Sequence, residues 1–291
     1  MIVVSTPTGD IGGRLVGRLL ETGEPVRVIA RDPSRLPADV RARVEVVTGS
    51  HGDPDVIGTA LECADRLFWL VPPPAFGSPV DARDYYLEFS RPAVRAAAEH
   101  KIPVVGVTSL GYGYRGPAGL LSAAFAMDEL FVDGGVAYRA LALPFFMENL
   151  LRQASAIREQ GTIAMANAAD RPLAMVATRD AAEMAATLLL GPAWSDAGRV
   201  GVVSPDDLTP TAMAEVISEV LGQAVEYREV ADLRAGMREH GASAAMADGM
   251  AGMVEAQNDG IYAAEPYTAG ATGFRQWCAE TLRPVPRNRT R

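Results

Sequence analysis

The sequence predicts an α/β protein with a doubly wound parallel sheet, followed by a smaller C-terminal α/β lid domain. Three observations predict this fold class. Short apolar runs without polar alternation recur along residues 1–150 and are separated by helical patterns, which is typical of parallel strands covered on both faces. A glycine-containing turn joins the first apolar run to the first helical pattern. After Pro144 the pattern changes to shorter strands and more helix.

The first predicted domain, residues 1–150, alternates strands and helices. Strands are expected at residues 1–5, 26–30, 44–48, 67–71, 103–108 and 136–143. Helices are expected at residues 14–22, 53–63, 81–100 and 120–134. Asp53 is expected to cap the second of these helices, with Pro54 in its first turn. Right-handed crossovers favour the doubly wound order, and Trp69 is expected in the sheet core.

The second predicted domain, residues 151–285, is expected to be intertwined with the first and to close over the strand ends. Its expected helices are residues 147–160, 179–190, 211–221, 231–258 and 274–282. Its expected strands are residues 173–178, 199–203 and 225–230. The spacing of Met246, Met250 and Met253 favours core or lid packing over a specific ligand site. The arginine-rich residues 286–291 are predicted to form a disordered tail.

The composition argues against several classes of function. The 291 residues carry a net charge of −9 without a basic cluster, so no nucleic-acid partner is expected. No apolar run approaches the roughly 18 residues of a membrane span, and no secretion signal is recognised. Cys63 and Cys278 are expected to be buried thiols in a cytoplasmic protein, either a monomer or a homodimer. His51, His100 and His240 lack metal-ligand spacing, so no metal is expected.

The turn after the first strand, Thr6-Pro7-Thr8-Gly9-Asp10-Ile11-Gly12, has features of a phosphate-binding turn. A phosphate pair binds a helix N-terminus when the backbone N–H groups are free and the backbone approaches closely. Gly9 leaves room for a pyrophosphate, and Gly12 permits tight packing of the helix on the strands. Thr6 occupies the usual first glycine position, and Pro7 biases it toward extended backbone. The turn predicts a dinucleotide-binding Rossmann sheet, with a capping loop in another α/β protein as the alternative.

The end of the second strand indicates which dinucleotide is bound. An acidic residue about 20 residues past the glycines would bind a free ribose 2′-hydroxyl group. Arg31 stands 31 − 9 = 22 residues after Gly9, and Arg35 follows it. Guanidinium groups suit a 2′-phosphate, which favours NADP(H) over NAD(H). Asp32 leaves NAD(H) open, and Arg35 is alternatively a solvated loop charge.

Four segments resemble one family. The opening turn resembles the family's TGATGxxG spacing, and VRVIARDPSRL (residues 26–36) is similar to its second strand and following loop. GVAYRALALPFFMENLL (residues 135–151) resembles SGxxYTxLRPxxFxEN, and residues 204–230 resemble the C-terminal unit. Together they resemble the NmrA-like group of atypical short-chain dehydrogenases/reductases. Thr6 and Leu143 depart from the family's usual Gly and Arg.

The resemblance implies an NADP(H)-binding domain, a small C-terminal domain and a pocket between them. With the residues of the turn and second strand, it assigns cofactor binding to Thr6, Thr8, Gly9, Asp10, Ile11, Gly12, Arg31, Arg35, Val71, Pro72, Pro73, Thr108 and Phe145. The expected substrate pocket comprises Tyr112, Tyr114, Phe146, Met147 and Asn149. Ordinary packing at the domain interface is the alternative for at least one of the phenylalanines.

The usual catalytic pair of short-chain dehydrogenases is absent from this sequence. That pair is a Tyr that donates a proton and a Lys four residues later that lowers its pKa. Lys101 is the only lysine, and Ala97 stands four residues before it. The candidate catalytic residues are therefore Ser109, Tyr112 and Asp128. A plain turn role for Ser109 and a surface or capping role for Asp128 are the alternatives.

These features predict an NADPH-dependent reductase of a conjugated, apolar small molecule such as a quinone or enone. Hydride transfer to such an acceptor needs positioning and exclusion of water more than a strong protein acid. A non-catalytic NADP(H)-sensing protein is one alternative, favoured by the missing lysine and by Thr6. A redox-neutral biosynthetic enzyme on the same fold, such as a cyclase or isomerase, is another.

Overall fold

The computed structural model describes residues 1–283 and begins with a regular alternation of strands and helices. The N-terminal elements are β1 (Ile2–Val4), α1 (Asp10–Glu21), β2 (Val26–Ala30), α2 (Ala38–Arg41), β3 (Glu45–Thr48), α3 (Pro54–Leu61), β4 (Arg66–Trp69), α4 (Ala82–His100), β5 (Val104–Ser109), α5 (Leu121–Asp133) and β6 (Tyr138–Leu143). Asp53 caps α3 as predicted, because its carboxylate accepts hydrogen bonds from the N–H groups of Asp55 and Val56.

The C-terminal part contains shorter elements. They are β7 (Phe145–Phe146), β8 (Thr162–Met165), β9 (Met175–Val176), α6 (Thr178–Leu190), β10 (Gly198–Val203), α7 (Pro210–Leu221), β11 (Glu226–Glu229), α8 (Leu233–Glu239), α9 (Ala244–Asn258), β12 (Thr268–Ala269) and α10 (Phe274–Trp277). The helix predicted over residues 147–160 is instead a 3-10 segment, Met147–Gln153, followed by a π-helical turn, Ala156–Gln160. The strands β7, β8 and β12 were not predicted.

Eight strands within the described residues form one parallel sheet. Their order is β12-β10-β6-β5-β4-β1-β2-β3, and every neighbouring pair is parallel. The chain builds outward from β1 to β3, then returns to the other side of β1 to add β4, β5 and β6. This reversal confirms the predicted doubly wound topology, and it opens a crevice at the carboxyl ends of β1 and β4.

Helices cover both faces of the sheet. The apolar sides of α1 and α6 bury one face, and those of α3, α4 and α5 bury the other. Trp69 is fully buried in the second layer, as predicted, and its indole N–H donates to the Ser90 hydroxyl at 3.1 Å. Because both faces are covered, the central strands are continuous apolar runs rather than alternating ones.

The residues after 150 contribute to both parts of the molecule. The strand β10, placed in the lid domain by the sequence, pairs with β6 in the main sheet, and α6 packs on α1. A separate apolar cluster joins β8 and β11 to α7 and α10. The C-terminal chain therefore returns to the sheet before it forms its own small core.

The two cysteines differ in their exposure. Cys278 is buried, but Cys63 is exposed, so the prediction of two buried thiols was wrong for Cys63. Cys63 lies in the turn that follows α3 and has a φ of 57°. The predicted disordered tail, residues 286–291, lies outside the described residues. No helix in residues 1–283 is long and apolar enough to cross a bilayer.

Two glycines of α1 give a matched test of the packing at its start. A Cβ on Gly12 would lie 2.0 Å from the carbonyl oxygen of Thr6, whereas a Cβ on Gly17 would meet nothing within 4 Å. We expect Gly12→Ala to lower the free energy of unfolding by about 3 kcal/mol, because backbone must shift. We expect Gly17→Ala to raise it by up to about 1 kcal/mol through helix propensity.

Denaturant unfolding of both variants, followed by circular dichroism, measures the difference. Equal stability of Gly12→Ala and Gly17→Ala would contradict the close approach of α1 to the turn.

Candidate active site

The N-terminus of α1 is open at the carboxyl end of β1. Gly9 caps the helix without a side-chain hydrogen bond, and the first helical bond runs from Gly13 N–H to the Gly9 carbonyl at 2.8 Å. The N–H groups of Asp10, Ile11 and Gly12 accordingly have no backbone partner among the described residues. Such a helix end attracts anions through its free donors and its dipole.

The turn itself fits a closely approaching pyrophosphate. Thr8, Gly9 and Asp10 are exposed, while Ile11 and Gly12 are buried against the sheet. The hydroxyl oxygen of Thr6 is buried and has no hydrogen-bond partner among the described residues. An exposed glycine backbone beside an unsatisfied hydroxyl group can take a phosphate group here, so this part of the site suits a dinucleotide.

The end of β2 provides positive charge without a competing acid. Arg31 and Arg35 are exposed and form no ion pair within residues 1–283. Asp32 is engaged elsewhere, since its carboxylate accepts from the Ser34 N–H at 3.0 Å and the Ser34 hydroxyl at 2.6 Å. These bonds lower the pKa of Asp32 and start the 3-10 turn Pro33–Arg35. The arrangement favours a 2′-phosphate over a free 2′-hydroxyl group.

A buried histidine lies beside Arg31, and the sequence interpretation did not assign it to the site. The His51 imidazole is 8% exposed, and its Nε2 lies 3.0 Å from the Leu70 carbonyl oxygen. It packs edge-on against Trp69 and Phe89. Burial lowers the pKa of His51 to about 4, and the charge of Arg31 acts in the same direction. His51 is therefore uncharged at neutral pH and packs as a buried aromatic ring.

A large cavity of about 680 Å³ lies beyond the ends of β4, β5 and β6. Seven predicted site residues line it: Val71, Pro73, Thr108, Ser109, Phe145, Phe146 and Asn149. Its opposite wall comes from α8 and α9, including Met237, Met250 and Met253. Met250 and Met253 line this cavity and Met246 is buried, in agreement with the predicted core or lid packing. The side chains that line this cavity are mostly apolar or uncharged.

The lining of the large cavity contains very few charged side chains. Arg152 is the only formally charged side chain that lines it among the described residues, and no carboxylate, lysine or histidine does so. Arg152 is exposed and forms no ion pair within residues 1–283. A ligand in this cavity therefore contacts hydroxyl and amide groups, apolar walls and one cation.

A second, smaller cavity of about 280 Å³ lies on another side of α5, and Tyr112 and Asp128 line this one instead. Asp128, a candidate catalytic residue, is 4% exposed, so the alternative of a surface or capping role was wrong. Its carboxylate accepts from the Thr108 hydroxyl at 2.8 Å and the Tyr138 hydroxyl at 2.7 Å, and it pairs with Arg199 at 2.5 Å. Burial raises the pKa of Asp128 to about 6 against these three favourable partners.

The remaining predicted residues lie outside the large cavity. The Tyr112 ring, 43% exposed, packs under the Arg199 guanidinium. The Tyr114 hydroxyl donates to Asp259 at 2.6 Å. Met147 is fully buried in the C-terminal core, because the chain turns inward after β7. The structure therefore does not place these three side chains in the expected substrate pocket. Pro72 lies between the cavity-lining Val71 and Pro73.

The only lysine of the sequence, Lys101, lies outside the lining of both cavities. Lys101 is exposed and ends α4 in the left-handed conformation, before the amino end of β5. Within residues 1–283, no group of three His, Cys, Asp or Glu side chains could hold a metal ion. The candidate catalytic groups that line the large cavity are the hydroxyl groups of Thr108 and Ser109. Asp128 accepts a hydrogen bond from Thr108 and does not line this cavity itself.

Comparison with known proteins gives consistent matches. A family model described as NAD(P)H-binding matches residues 7–189. A (4-alkanoyl-5-oxo-2,5-dihydrofuran-3-yl)methyl phosphate reductase of Streptomyces griseus is 32% identical over 79% of this chain and 77% of its own. An NAD(P)H azoreductase of Xenophilus azovorans is 26% identical over 78% of this chain and 76% of its own.

Two solved structures share the fold. An NADPH-dependent quinone oxidoreductase of Escherichia coli, complexed with NADPH, has a TM-score of 0.75 at 23% identity and covers 90% of each chain. The triphenylmethane reductase of Citrobacter sp., complexed with NADP(H), has a TM-score of 0.72 at 18% identity over 99% of this chain and 97% of its own. These likenesses confirm the Rossmann-like α/β fold.

The Gly9 position separates cofactor binding from folding. A Cβ on Gly9 would meet only the Thr6 carbonyl oxygen, at an ordinary 3.6 Å, and its φ of −89° suits any residue. We expect Gly9→Val to fold normally but to lose detectable NADPH binding in calorimetry, because the branched side chain occupies the anion site. Undiminished binding by a folded Gly9→Val protein would contradict a pyrophosphate at α1.

Arg31 provides a test of the 2′-phosphate assignment. We expect Arg31→Ala to weaken NADPH binding by about 10- to 150-fold, which corresponds to a charge-assisted hydrogen bond, and to leave NADH binding unchanged. Calorimetry with both cofactors measures the difference, and Arg41→Ala, an exposed arginine on α2, controls for net charge. Equal losses for NADPH and NADH would refute the assignment.

Proposed function

The chain belongs to the NAD(P)H-binding family, of the NmrA-like, atypical short-chain dehydrogenase/reductase type, and we propose that it reduces a conjugated, largely apolar small molecule with NADPH. Quinones and enones are the acceptor types we favour. Its curated relatives are named reductases, and the chain is an NAD(P)H-dependent oxidoreductase.

The observation that carries this proposal is the lining of the 680 Å³ cavity. Its walls are mostly apolar or aromatic, and no side chain of a strong general acid contacts it within the described residues. An acceptor whose added charge is delocalised needs less proton assistance at the moment of hydride transfer than a simple ketone does. A mostly apolar cavity with the hydroxyl groups of Thr108 and Ser109 in its lining therefore supports reduction of a conjugated acceptor.

Arg152 supports a finer description of the substrate. The compound in the name of the Streptomyces relative combines an oxo-dihydrofuran ring, an alkanoyl group and a phosphate. The cavity here offers Met and Phe side chains for an apolar chain and one free guanidinium for an anion. We therefore extend the proposal to conjugated substrates that carry an anionic substituent.

A substrate panel tests the proposed function. We expect NADPH oxidation, followed by absorbance, with quinones and with oxo-dihydrofurans, and turnover at least about tenfold slower with saturated ketones of equal size. Within a pair of oxo-dihydrofurans, we expect the phosphate ester to have a lower KM than the free alcohol, by about tenfold.

The panel also has a result that would reject the proposal. If the protein binds NADPH in calorimetry but does not oxidise it with any acceptor of the panel, reduction is not its function. That result would favour a protein that senses NADP(H), or a redox-neutral enzyme.

A further inference from the structure

Thr108 lies between the large and the smaller cavity described above. It lines the large cavity at the end of β5, and its hydroxyl donates at 2.8 Å to Asp128, which lines the smaller cavity. We propose that Thr108 delivers the proton that completes the reduction, and that Asp128 resupplies this proton from the smaller cavity. This proposal rests on the proposed function, and it adds a route for the proton.

Asp128 lines the smaller cavity and not the large cavity, in which the substrate is proposed to bind. Its mouth is formed by the exposed residues Tyr112, Glu129, Val132 and Asp133, so water reaches it from outside. Asp128 itself is almost completely buried beneath them. The carboxyl group therefore separates a cavity open to water from a hydroxyl group that lines the substrate cavity.

The groups around Asp128 come from three strands and its own helix. Thr108 of β5 and Tyr138 of β6 donate hydrogen bonds, and Arg199 of β10 provides a positive charge. The charge of Arg199 is shared with Glu265 at 2.6 Å. Glu129, one residue along α5, is exposed and accepts from Tyr112. Since the pKa of Asp128 still rises to about 6, its burial outweighs the attraction of Arg199.

Protonation of Asp128 would reverse its hydrogen bond with Thr108. As a carboxylate, Asp128 accepts the Thr108 proton, which then points away from the large cavity. As a carboxylic acid, it can donate to the same hydroxyl oxygen, and the Thr108 proton is free to point toward a substrate oxygen. The same pair of atoms thus serves both protonation states without movement of the backbone.

The reaction balances along this route. The acceptor gains a hydride, which carries two electrons and one proton, as a C–H bond of the reduced nicotinamide breaks. The substrate oxygen gains the Thr108 proton, Thr108 gains the Asp128 proton, and Asp128 gains one from water in the smaller cavity. The products are the reduced substrate and the oxidised nicotinamide, and one proton has been taken from water.

A purely structural role for Asp128 makes different predictions. Arg199 also donates to the Ser109 carbonyl at 3.0 Å, so the ion pair could simply brace the loop after β5. Loss of this structural support would lower the rate of reduction of every acceptor and would not change how that rate depends on pH. To distinguish proton supply from structural support, one acceptor must need a proton for its reduction and the other must need none.

Kinetics with two acceptors distinguish the roles. A quinone needs a hydride and a proton, whereas a cationic triarylmethane dye needs only a hydride. For the parent protein, we expect the single-turnover rate of hydroquinone formation to fall about tenfold per pH unit well above pH 6, and the rate of dye reduction to change little. For Asp128→Asn, we expect the quinone-to-dye rate ratio at pH 6 to fall by about tenfold or more, and its pH dependence to disappear.

Three further variants serve as controls. Asp133→Asn removes an exposed carboxylate at the mouth of the same cavity, and should keep the parent ratio and pH profile. Thr108→Val should reproduce the loss of Asp128→Asn, and Thr108→Ser should restore the ratio, because it restores the hydroxyl. If Asp128→Asn does not fold, the Thr108 pair of variants carries the test. An unchanged quinone-to-dye rate ratio in folded Thr108→Val would overturn the proposed proton relay from Asp128 through Thr108 to the substrate.

Infrared spectroscopy of the protein without cofactor gives an independent measurement. We expect a protonated-carboxyl carbonyl band that titrates near pH 6, is absent from Asp128→Asn and shifts in frequency in Thr108→Val. If the parent reduces quinones but lacks this band, the relay is wrong and the proposed function stands. If the band is present but no acceptor is reduced, the proposed function fails, and the relay fails with it.

Discussion

Arg199 joins parts of the protein that are far apart in sequence. Its guanidinium pairs with Asp128 of α5 at 2.5 Å and with Glu265 at 2.6 Å, and it donates to the Ser109 carbonyl at 3.0 Å. Removing one partner of a buried ion pair typically costs about 3–5 kcal/mol, because the other charge is left uncompensated. Here each charge has several partners, and Glu265 also accepts from the N–H of Gly111. The end of β5 therefore depends on a segment 154 residues further along the chain.

This ion-pair cluster explains why the C-terminal chain must return to the sheet. Arg199 reaches α5 only because β10 pairs with β6, and Glu265 precedes β12, which pairs with β10. The large cavity has the same dependence, since α8 and α9 supply its opposite wall. The first 150 residues provide the anion site at α1, but they do not enclose a substrate. Closure of the cavity and positioning of the hydroxyl groups at the end of β5 are therefore achieved by the same C-terminal segments.

The fold was predictable from the sequence because its signals are local. The apolar runs, the turn with Gly9 and Gly12, and the Asp53 cap are each contained within a few residues, and the structure has all of them. The environment of Asp128 was not predictable, because Arg199 lies 71 residues away and burial by β6 and β10 leaves no pattern in α5. Likewise the spacing of Met250 and Met253 indicates one helix face, but does not say whether that face meets core or cavity.

The two cavities place the requirements of a reduction in different surroundings. Hydride transfer is favoured where substrate displaces water, and the large cavity has mostly apolar walls from both parts of the chain. Proton supply requires contact with water, and the smaller cavity has an exposed mouth. Arg152 is the only charged side chain that lines the large cavity among the described residues, and a carboxylate placed there would bring its hydration into the apolar surroundings. Thr108 avoids this conflict, because a hydroxyl group is neutral on the substrate side while the charge that titrates lies one hydrogen bond behind it.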